Sequence, residues 1–206
     1  FQNHMDYQVN PKNKGIMAFE TYERFLNEIE DNRLYSIVFA SRGEPLLNPN
    51  IDKMIASAKS KGVLDIKLNT NAVLLTDDLS RRLLASGLDM IVFSVDSLNP
   101  EHYKTIRGTD LRIVKKNINR FLEIRKTEFP YAKIVVRIAM VITNQFLEYA
   151  ENEIENAKQY WLERVDELSI KSEIISLQFM KMKLSHLLFK HVVCYGKDYI
   201  YGRTEL

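Results

Sequence analysis

An α/β fold built on parallel strands is the fold class that this sequence predicts, and two observations carry the prediction. Short apolar runs alternate with amphipathic helical patterns over most of the chain. Three of these runs also end abruptly in small polar residues before a helix begins, at SIVFASRGEPLLNP (36–49), IKLNTNAVLLT (66–76) and MIVFSVDSLNPEHYKTIRG (90–108). Strands that alternate with helices in this way are parallel and joined by right-handed crossovers. The sequence therefore predicts either a barrel or an open doubly wound sheet.

The elements follow one another in a regular order. Residues 1–14 are polar and aperiodic, so we expect a loop there. Helices are predicted at about 17–29, 51–60 and 77–86, then as a short helix opened by Asn99-Pro100, a long one from Asp110 to about Lys126, and a last one at about 146–162. Strands are predicted at about 35–40, 64–69, 90–95, 133–142 and 165–171.

Local signals mark the ends of these helices. Thr76 and Asp110 are residue types that cap helix N-termini, because their side-chain oxygens accept hydrogen bonds from free backbone N–H groups. Gly62 and Gly87 follow helices at the position where glycine is favoured. Pro130 ends the long helix before the fourth strand.

Composition excludes several classes of partner. The chain has 206 residues, enough for one domain with a sizeable core, and its 29 Lys and Arg are interspersed with 27 Asp and Glu. A near-neutral surface argues against partners recruited by bulk charge, so we expect neither nucleic acid nor membrane. No run approaches the roughly 20 apolar residues of a membrane span. A single cysteine, Cys194, agrees with a reducing compartment, and we expect a cytoplasmic protein.

Side chains alternate along a strand, so the apolar row of each strand predicts which residues face the helices. The opposite rows place polar groups inward on four strands, namely Asn69 and Asn71, Ser94 and Asp96, Arg137, and Ser169 and Lys171. Their convergence predicts a pocket for a ligand that carries an amine, a carboxylate and hydroxyls. The alternative is structural: Arg137 pairs with Asp96, and the asparagines only satisfy loop backbone.

The alternation covers residues 1–171, which we treat as one domain, and it weakens from Ser172. Residues 172–206 are expected to form a C-terminal extension with a helix and a short hairpin. His191 and Cys194 are spaced like half of a metal site, but an inert buried thiol is the expected state of Cys194. We expect the remaining histidines, His4, His102 and His186, on the surface or in loops. We predict no metal site.

Taken together, the polar strand ends resemble those of radical S-adenosylmethionine (radical SAM) enzymes over about residues 1–171. RGEPLLNP (42–49) is similar to the Gly-Gly-Glu-Pro motif of that family, and NTNAVLLT (69–76) is similar to its Thr-Asn-Gly strand end. FSVDSLNPEHYKTIRG (93–108) is similar to its Ser-x-Asp strand and to the following helix, which ends in Ile-Arg-Gly. The resemblance implies a partial TIM-like barrel of six units, (β/α)6, that binds S-adenosylmethionine.

The same resemblance implies the cofactor-binding residues, but no catalytic residue. Gly43 and Glu44 would hold the methionine amine of the cofactor through backbone carbonyls and the carboxylate. The other expected contacts are Ser94 and Asp96 by the ribose and methionine moiety, Arg137 at the cofactor carboxylate, and Asn71 lining the pocket.

Departures from the family pattern limit what the chain is expected to do. Arg42 and Ala72 stand where the family has glycines. Family members also bind a 4Fe–4S cluster through Cys-x3-Cys-x2-Cys in a loop after the first strand, and none of these cysteines is present. The opening FQNHMDYQ resembles the residues after the third cysteine, so the first strand and the cluster loop are expected to be missing. A fragment is the expected explanation, and a cluster-free relative is the alternative.

Three functions follow from these observations. The first is a radical SAM enzyme core that, with a cluster, generates a 5′-deoxyadenosyl radical and abstracts hydrogen from a peptide or sugar; the chain as it stands is expected to be inactive. The second is a cluster-less barrel that binds S-adenosylmethionine or a peptide. The third is an ordinary barrel enzyme that uses Glu44 and Asp96 as an acid and base pair.

Overall fold

The computed structural model describes residues 15–29, 34–40, 43–172, 193–195 and 198–202. The chain divides into two compact units, one formed by Phe1–Ile91 with Ile113–Ile134 and the other by Val92–Arg112 with Val135–Leu206. The boundary passes through one strand and one helix, so each unit is built from two separate stretches of sequence. None of the helices in the described part of the chain is long and apolar enough to cross a membrane.

The first unit contains strands β1 and β2 and the start of β3, in the order β1-β2-β3. Strands β1 and β2 run parallel, with Ser36 opposite Asp65 and Phe39 opposite Leu68. The bounds of the elements are β1 Ser36–Phe39, β2 Asp65–Thr70, β3 Met90–Ser94, α1 Phe19–Glu28, α2 Ile51–Ser60, α3 Asp77–Ala85 and α5 Leu111–Glu128.

The second unit contains the end of β3 and four further strands, in the order β3-β4-β5-β7-β6. Strands β4 and β5 are parallel, whereas β7 runs antiparallel to both β5 and β6. The bounds are α4 Pro100–Arg107, β4 Val135–Ile142, a 3-10 helix Asn144–Tyr149, α6 Ala150–Trp161, β5 Glu167–Ser172, β6 Val193–Tyr195 and β7 Asp198–Gly202.

Alternating burial confirms the predicted phase of two strands, β4 and β2, whereas Ile91, Val92 and Phe93 of β3 are all buried. In β4 every second residue is buried, and Val136, Ile138 and Met140 are at most 1% exposed. Arg137 lies in the opposite, half-buried row. Strand β2 alternates in the same way, with Ile66 and Leu68 fully buried. Burial of these rows supplies the apolar driving force for each strand.

The predicted helix ends are also confirmed. Thr76 Oγ1 accepts a hydrogen bond from Leu79 N (3.2 Å) at the start of α3, and Asn99 Oδ1 accepts one from Glu101 N (2.9 Å) at the start of α4. Gly87 follows α3 with φ +82°, a conformation in which a side chain would be strained.

The sequence-based fold class is confirmed as α/β with five parallel strands, β1 to β5, in one sheet. Neither unit shows the reversal of strand order that marks a doubly wound sheet, which favours the barrel alternative. The predicted strands agree with the observed ones to within two residues at each end.

Two details differ from the expectation. The helix predicted from residue 146 begins as a 3-10 helix with a kink at Phe146, and regular α-helix starts only at Ala150. The C-terminal hairpin is present as β6 and β7, and it extends the sheet of the second unit through β7. The helix predicted before this hairpin, with His186 and His191, lies outside the described residues, as does His4.

Candidate functional site

Glu44 ties together the ends of two strands in the first unit. Its carboxylate accepts a hydrogen bond from Leu46 N (3.0 Å), which caps the 3-10 helix Pro45–Leu47 that follows β1. At the end of β2, Thr70 Oγ1 donates to the same carboxylate (2.6 Å), and so does Asn71 N (2.9 Å). The structure therefore brings Glu44 and Asn71 together, as the sequence predicted.

This arrangement leaves Glu44 able to bind a cation. An ionised carboxylate offers about four lone-pair sites, and the contacts of Glu44 within the chain occupy three. The neighbouring Gly43 is exposed, and a Cβ built on it would meet nothing within 4 Å. The backbone beside Glu44 is therefore open to an approaching group. The residues present fit the amine of S-adenosylmethionine.

The loop after β2 is held in an unfavourable conformation. Ala72 is fully buried and has φ +60°, which costs an L-residue roughly 1–2 kcal/mol. Three side chains fix this loop: Thr70 Oγ1 accepts from Ala72 N (3.0 Å), and Asn71 Oδ1 accepts from Val73 N (2.9 Å). Asn117 on α5 donates its Nδ2 to Ala72 O (2.9 Å) and to Val73 O (3.1 Å).

In the second unit, Ser94 is the half-buried last residue of β3, and Asp96 lies two residues further on. Asp96 is 5% exposed, and both of its oxygens have partners. Val141 N donates to one (2.9 Å), and Arg107 Nε donates to the other (2.5 Å). Asp96 thus links the end of β3 to β4 and α4, and its role at a cofactor stays a prediction.

Arg137 has its own counter-ion in the second unit. Glu167, its cross-strand neighbour on β5, accepts a hydrogen bond from Arg137 Nε (2.6 Å). The structural alternative that paired Arg137 with Asp96 is wrong: Asp96 bonds to Arg107 and Val141, and among the described residues no ion pair joins it to Arg137. A guanidinium has five N–H donors, so the pair with Glu167 leaves donors for a second carboxylate.

A polar cluster that was not predicted from the sequence lies in the second unit around Glu153 on α6. Glu153 is 4% exposed and accepts from Ser97 Oγ (2.8 Å) and Leu98 N (3.2 Å), and it pairs with His102 Nδ1 (2.7 Å). His102 also stacks on Phe146, with ring centroids 4.2 Å apart. The expectation that His102 is a surface or loop residue is wrong, since it lies on α4 with a side chain 17% exposed.

Two of the cavities in the described residues are not lined by Glu44. The cavity beside Glu153 measures about 10 Å³, roughly the size of one water molecule. It contains the buried Thr143 hydroxyl, which has no protein partner in the described part of the chain. A cavity of about 320 Å³ in the first unit lies before β1 and β2, where Tyr35 and Leu64 line it. Parallel α/β folds bind ligands at the opposite, carboxyl ends of their strands.

The residues do not fit an iron–sulfur cluster. Such clusters need thiolate ligands, and the chain has one cysteine, Cys194. Among the described residues, no group of three His, Cys, Asp or Glu could hold a metal ion. Cys194 lies on β6, but the structure does not describe its side chain or His191. The half metal site and the inert buried thiol therefore stay predictions.

Polar residues on buried helical faces were the signals that sequence reasoning missed. Glu153 lies at four-residue spacing from Ala157 and Trp161, both of which are buried. Asn117 interrupts a similar row on α5 between Val114 and Phe121. A charged or amide side chain on such a face requires a buried partner, although the sequence does not show which one.

Comparison with known proteins agrees with this architecture. The model of the Radical SAM superfamily matches residues 3–157, about three quarters of the chain. The chain therefore belongs to the radical SAM superfamily, whose members use S-adenosylmethionine and a 4Fe–4S cluster.

Curated relatives include a probable GTP 3′,8-cyclase from Methanococcus maripaludis strain C5, 40% identical over 88 residues, which are 42% of this chain and 29% of the relative. The GTP 3′,8-cyclase of Clostridium botulinum strain Hall is 34% identical over 118 residues, 56% of this chain and 36% of the relative. The matched region thus spans about a third of these relatives.

Solved structures show the same fold at low sequence identity. Streptococcus suis SuiB bound to S-adenosylmethionine matches with a TM-score of 0.64 and 21% identity, over 84% of this chain and 38% of that one. Native anSMEcpe with bound AdoMet matches with a TM-score of 0.59 and 17% identity, over 78% and 44%.

Proposed function

We propose that this chain is the S-adenosylmethionine-binding core of a radical SAM enzyme. One observation supports this most directly. The Glu44 carboxylate joins the Gly-Glu-Pro loop to the Thr-Asn strand end and keeps one acceptor site beside the open backbone of Gly43. An acceptor fixed by three donors cannot turn away, so a cation that binds there meets a pre-organised carboxylate.

Each residue has a defined part in this proposal. Glu44 and the Gly43 carbonyl bind the cofactor amine, and Asn71 lines the pocket. Arg137 binds the cofactor carboxylate with the donors that Glu167 leaves free. Ser94 and Asp96 lie by the ribose and methionine moiety. In family members the cluster supplies the electron that converts the bound cofactor to a 5′-deoxyadenosyl radical.

Calorimetric titration with S-adenosylmethionine tests the proposal. Glu44→Gln keeps the side-chain shape and removes the charge, so a charged hydrogen bond to the amine becomes neutral. The expected loss is about 0.5–2 kcal/mol, or roughly 2- to 30-fold in affinity. Glu128→Gln is the matched control, because it makes the same change at an exposed glutamate that pairs with Arg81.

Arg137→Met should weaken binding at least as much as Glu44→Gln, since it leaves the cofactor carboxylate without its counter-charge. Asp96→Asn should weaken it less if Asp96 meets only hydroxyls. Wild-type affinity in both Glu44→Gln and Arg137→Met, with circular dichroism unchanged, would show that the cofactor binds elsewhere.

A second candidate function is binding without radical chemistry, and the cysteine content favours it for this chain. One cysteine cannot supply the three thiolates of the family cluster. Anaerobic treatment with iron and sulfide should therefore leave the isolated chain without a stable cluster. Stoichiometric binding of about four irons per chain, with the broad visible absorbance of a cluster, would contradict this candidate.

For the substrate, we propose a nucleotide first, because the curated relatives named above are GTP 3′,8-cyclases. A peptide is second, since SuiB has been solved with its precursor peptide SuiA. The sugar expected as an alternative has no counterpart among these proteins. Titration of GTP into the chain saturated with S-adenosylmethionine tests the order, and heat release with a SuiA-type peptide but none with GTP would reverse it. A cytoplasmic location stays a prediction.

A further inference from the structure

The short loop of residues 70–73 is held in a strained conformation by several hydrogen bonds. Ala72 is the one non-glycine residue with positive φ in the described part of the chain, and it is fully buried. Residues in such sparsely populated conformations persist only where the surrounding structure holds them, and they cluster at ligand clamps and active sites. Contacts from the surrounding structure must therefore hold Ala72 in this conformation next to Asn71.

Two local hydrogen bonds and the Glu44 carboxylate hold the first part of the loop. Thr70 and Asn71 each bond to a backbone N–H two residues away, and Glu44 binds the loop at its first two residues. These bonds fix N–H groups and leave the carbonyls of Ala72 and Val73 to other donors.

Asn117 supplies donors to both carbonyls from a distant part of the sequence, and Leu75 N adds a longer hydrogen bond to Ala72 O (3.3 Å). A single amide group, Nδ2, donates to Ala72 O and Val73 O, 45 and 44 residues away. Asn117 is carried by a well-anchored stretch of α5, because Val114, Ile118 and Phe121 are all fully buried. Both N–H donors of the amide are used on one short loop, and the orientation of both peptide groups is thereby set.

We propose that Asn117 is a positioning residue of the cofactor site: it holds the 70–73 loop in its strained conformation, and so places Asn71 and its backbone N–H against Glu44. The proposal rests on the proposed function, since it gives Asn117 a role at the same site. It adds a residue that none of the strand-end motifs contains. Asn117 touches no part of the cofactor in this proposal and acts only through the loop.

Asn117→Asp is the test variant, because it keeps the size of the side chain but cannot donate and sets a carboxylate against two carbonyl oxygens. Asn117→Ala removes the same donors without adding charge, and it serves if the aspartate variant does not fold. The affinity for S-adenosylmethionine should fall about 3- to 30-fold in either variant, from the loss of loop order. The control is Thr76→Ala, which removes the cap of α3 and should lower Tm by about 2–4 °C with unchanged affinity.

Rescue separates positioning from simple loss of stability. Glycine adopts positive φ without steric cost, so Ala72→Gly removes the strain that the clamp opposes. Ala72→Gly alone should keep its affinity within about threefold of wild type, and the double variant Ala72→Gly with Asn117→Asp should recover most of the lost affinity. A merely structural asparagine would not give this pattern, because the double variant would bind as weakly as Asn117→Asp.

Calorimetric titration with S-adenosylmethionine, alongside thermal unfolding, decides between the outcomes. Reduced affinity in the Asn117 variants, wild-type affinity in Thr76→Ala, and rescue by Ala72→Gly would support the proposal. Wild-type affinity in Asn117→Asp, or an equal loss in Thr76→Ala, would overturn it and leave the proposed function standing. A wild-type chain that does not bind S-adenosylmethionine at all would overturn the proposed function, and this inference with it.

Discussion

Glu44 in the first unit and Glu153 in the second have similar hydrogen-bond partners but differ in their exposure to solvent. Each carboxylate has three partners, of which at least one is a backbone N–H and one a hydroxyl. Glu44 is half-buried beside an exposed glycine, whereas Glu153 is 4% exposed beside a cavity of about 10 Å³. A buried carboxylate with all its hydrogen bonds made is therefore not by itself a sign of a ligand site. A ligand site also needs space beside the carboxylate for a further partner.

The difference also extends to what surrounds each carboxylate. The partners of Glu44 are loop and strand-end groups, of which Leu46 and Thr70 are buried and Asn71 is half-buried. Those of Glu153 include an imidazole stacked on Phe146, with Tyr149 at 5.0 Å. We infer that the Glu153 cluster holds α4, the loop after β3 and α6 together, and that its contribution is to stability.

The largest expected effect is the loss of Glu153. Glu153→Ala leaves the Ser97 hydroxyl, Leu98 N and His102 without their buried acceptor, and it should destabilise the protein by about 3–5 kcal/mol. Urea unfolding at neutral pH measures the change. Glu153→Gln, which keeps one oxygen acceptor, should cost less. A loss below about 1 kcal/mol for Glu153→Ala would mean that water replaces the carboxylate and that the site is accessible.

Glu44→Ala should destabilise the protein by a smaller amount, about 1–3 kcal/mol, because Glu44 is itself half-buried and water can enter the space that its side chain leaves. The same urea measurement on both variants compares the two regions directly. Because Glu44 is the more accessible of the two, Glu44→Ala should affect cofactor affinity more than stability, and Glu153→Ala should affect stability more than cofactor affinity. Equal stability losses would remove the distinction.

Tyr103 tests how a buried hydroxyl that lacks a hydrogen-bond partner affects stability, in contrast to the buried carboxylate of Glu153. The Tyr103 side chain is fully buried, and its hydroxyl has no hydrogen-bond partner among the described residues. Burial, opposed in part by Arg107, raises the pKa of this hydroxyl to about 12. Tyr103→Phe should therefore be neutral or stabilising by up to about 1 kcal/mol. Tyr22→Phe is the counterpart in the first unit, and a loss above about 1 kcal/mol in either would reveal a bound water.

The smallest effect is expected at the surface pair of Glu128 and Arg81. The hydrogen bond from Arg81 lowers the pKa of Glu128, so the folded state favours the ionised form. The contribution of the pair is present above the unfolded pKa of Glu128 and is lost as pH falls through the lower folded value. In urea unfolding between about pH 6 and about pH 3, Glu128→Gln should slightly reduce the loss of stability with falling pH. Added salt should weaken the effect in wild type.

The phase of β2 and β4 and the helix caps could be predicted because they depend on neighbours in sequence. The alternation of β4 and the cap of α3 by Thr76 arise from residues within a few positions of one another. The meeting of Glu44 with Asn71 was predictable for a related reason: carboxyl ends of adjacent parallel strands lie at the same edge of a sheet. The partners of Asp96, Arg137 and His102 could not be predicted in this way.

The sequence by itself determined the α/β class, the parallel strands and the polar residues at their ends, since periodicity and capping are local properties of the chain. Only the tertiary structure decided that Asp96 pairs with Arg107, that Arg137 pairs with Glu167 and that Glu153 binds His102. Each of these side chains had several carboxylates or cations to choose from in the sequence. Strand register and helix placement bring one partner within hydrogen-bond distance, which is about 2.7–3.2 Å between a donor nitrogen and an acceptor oxygen.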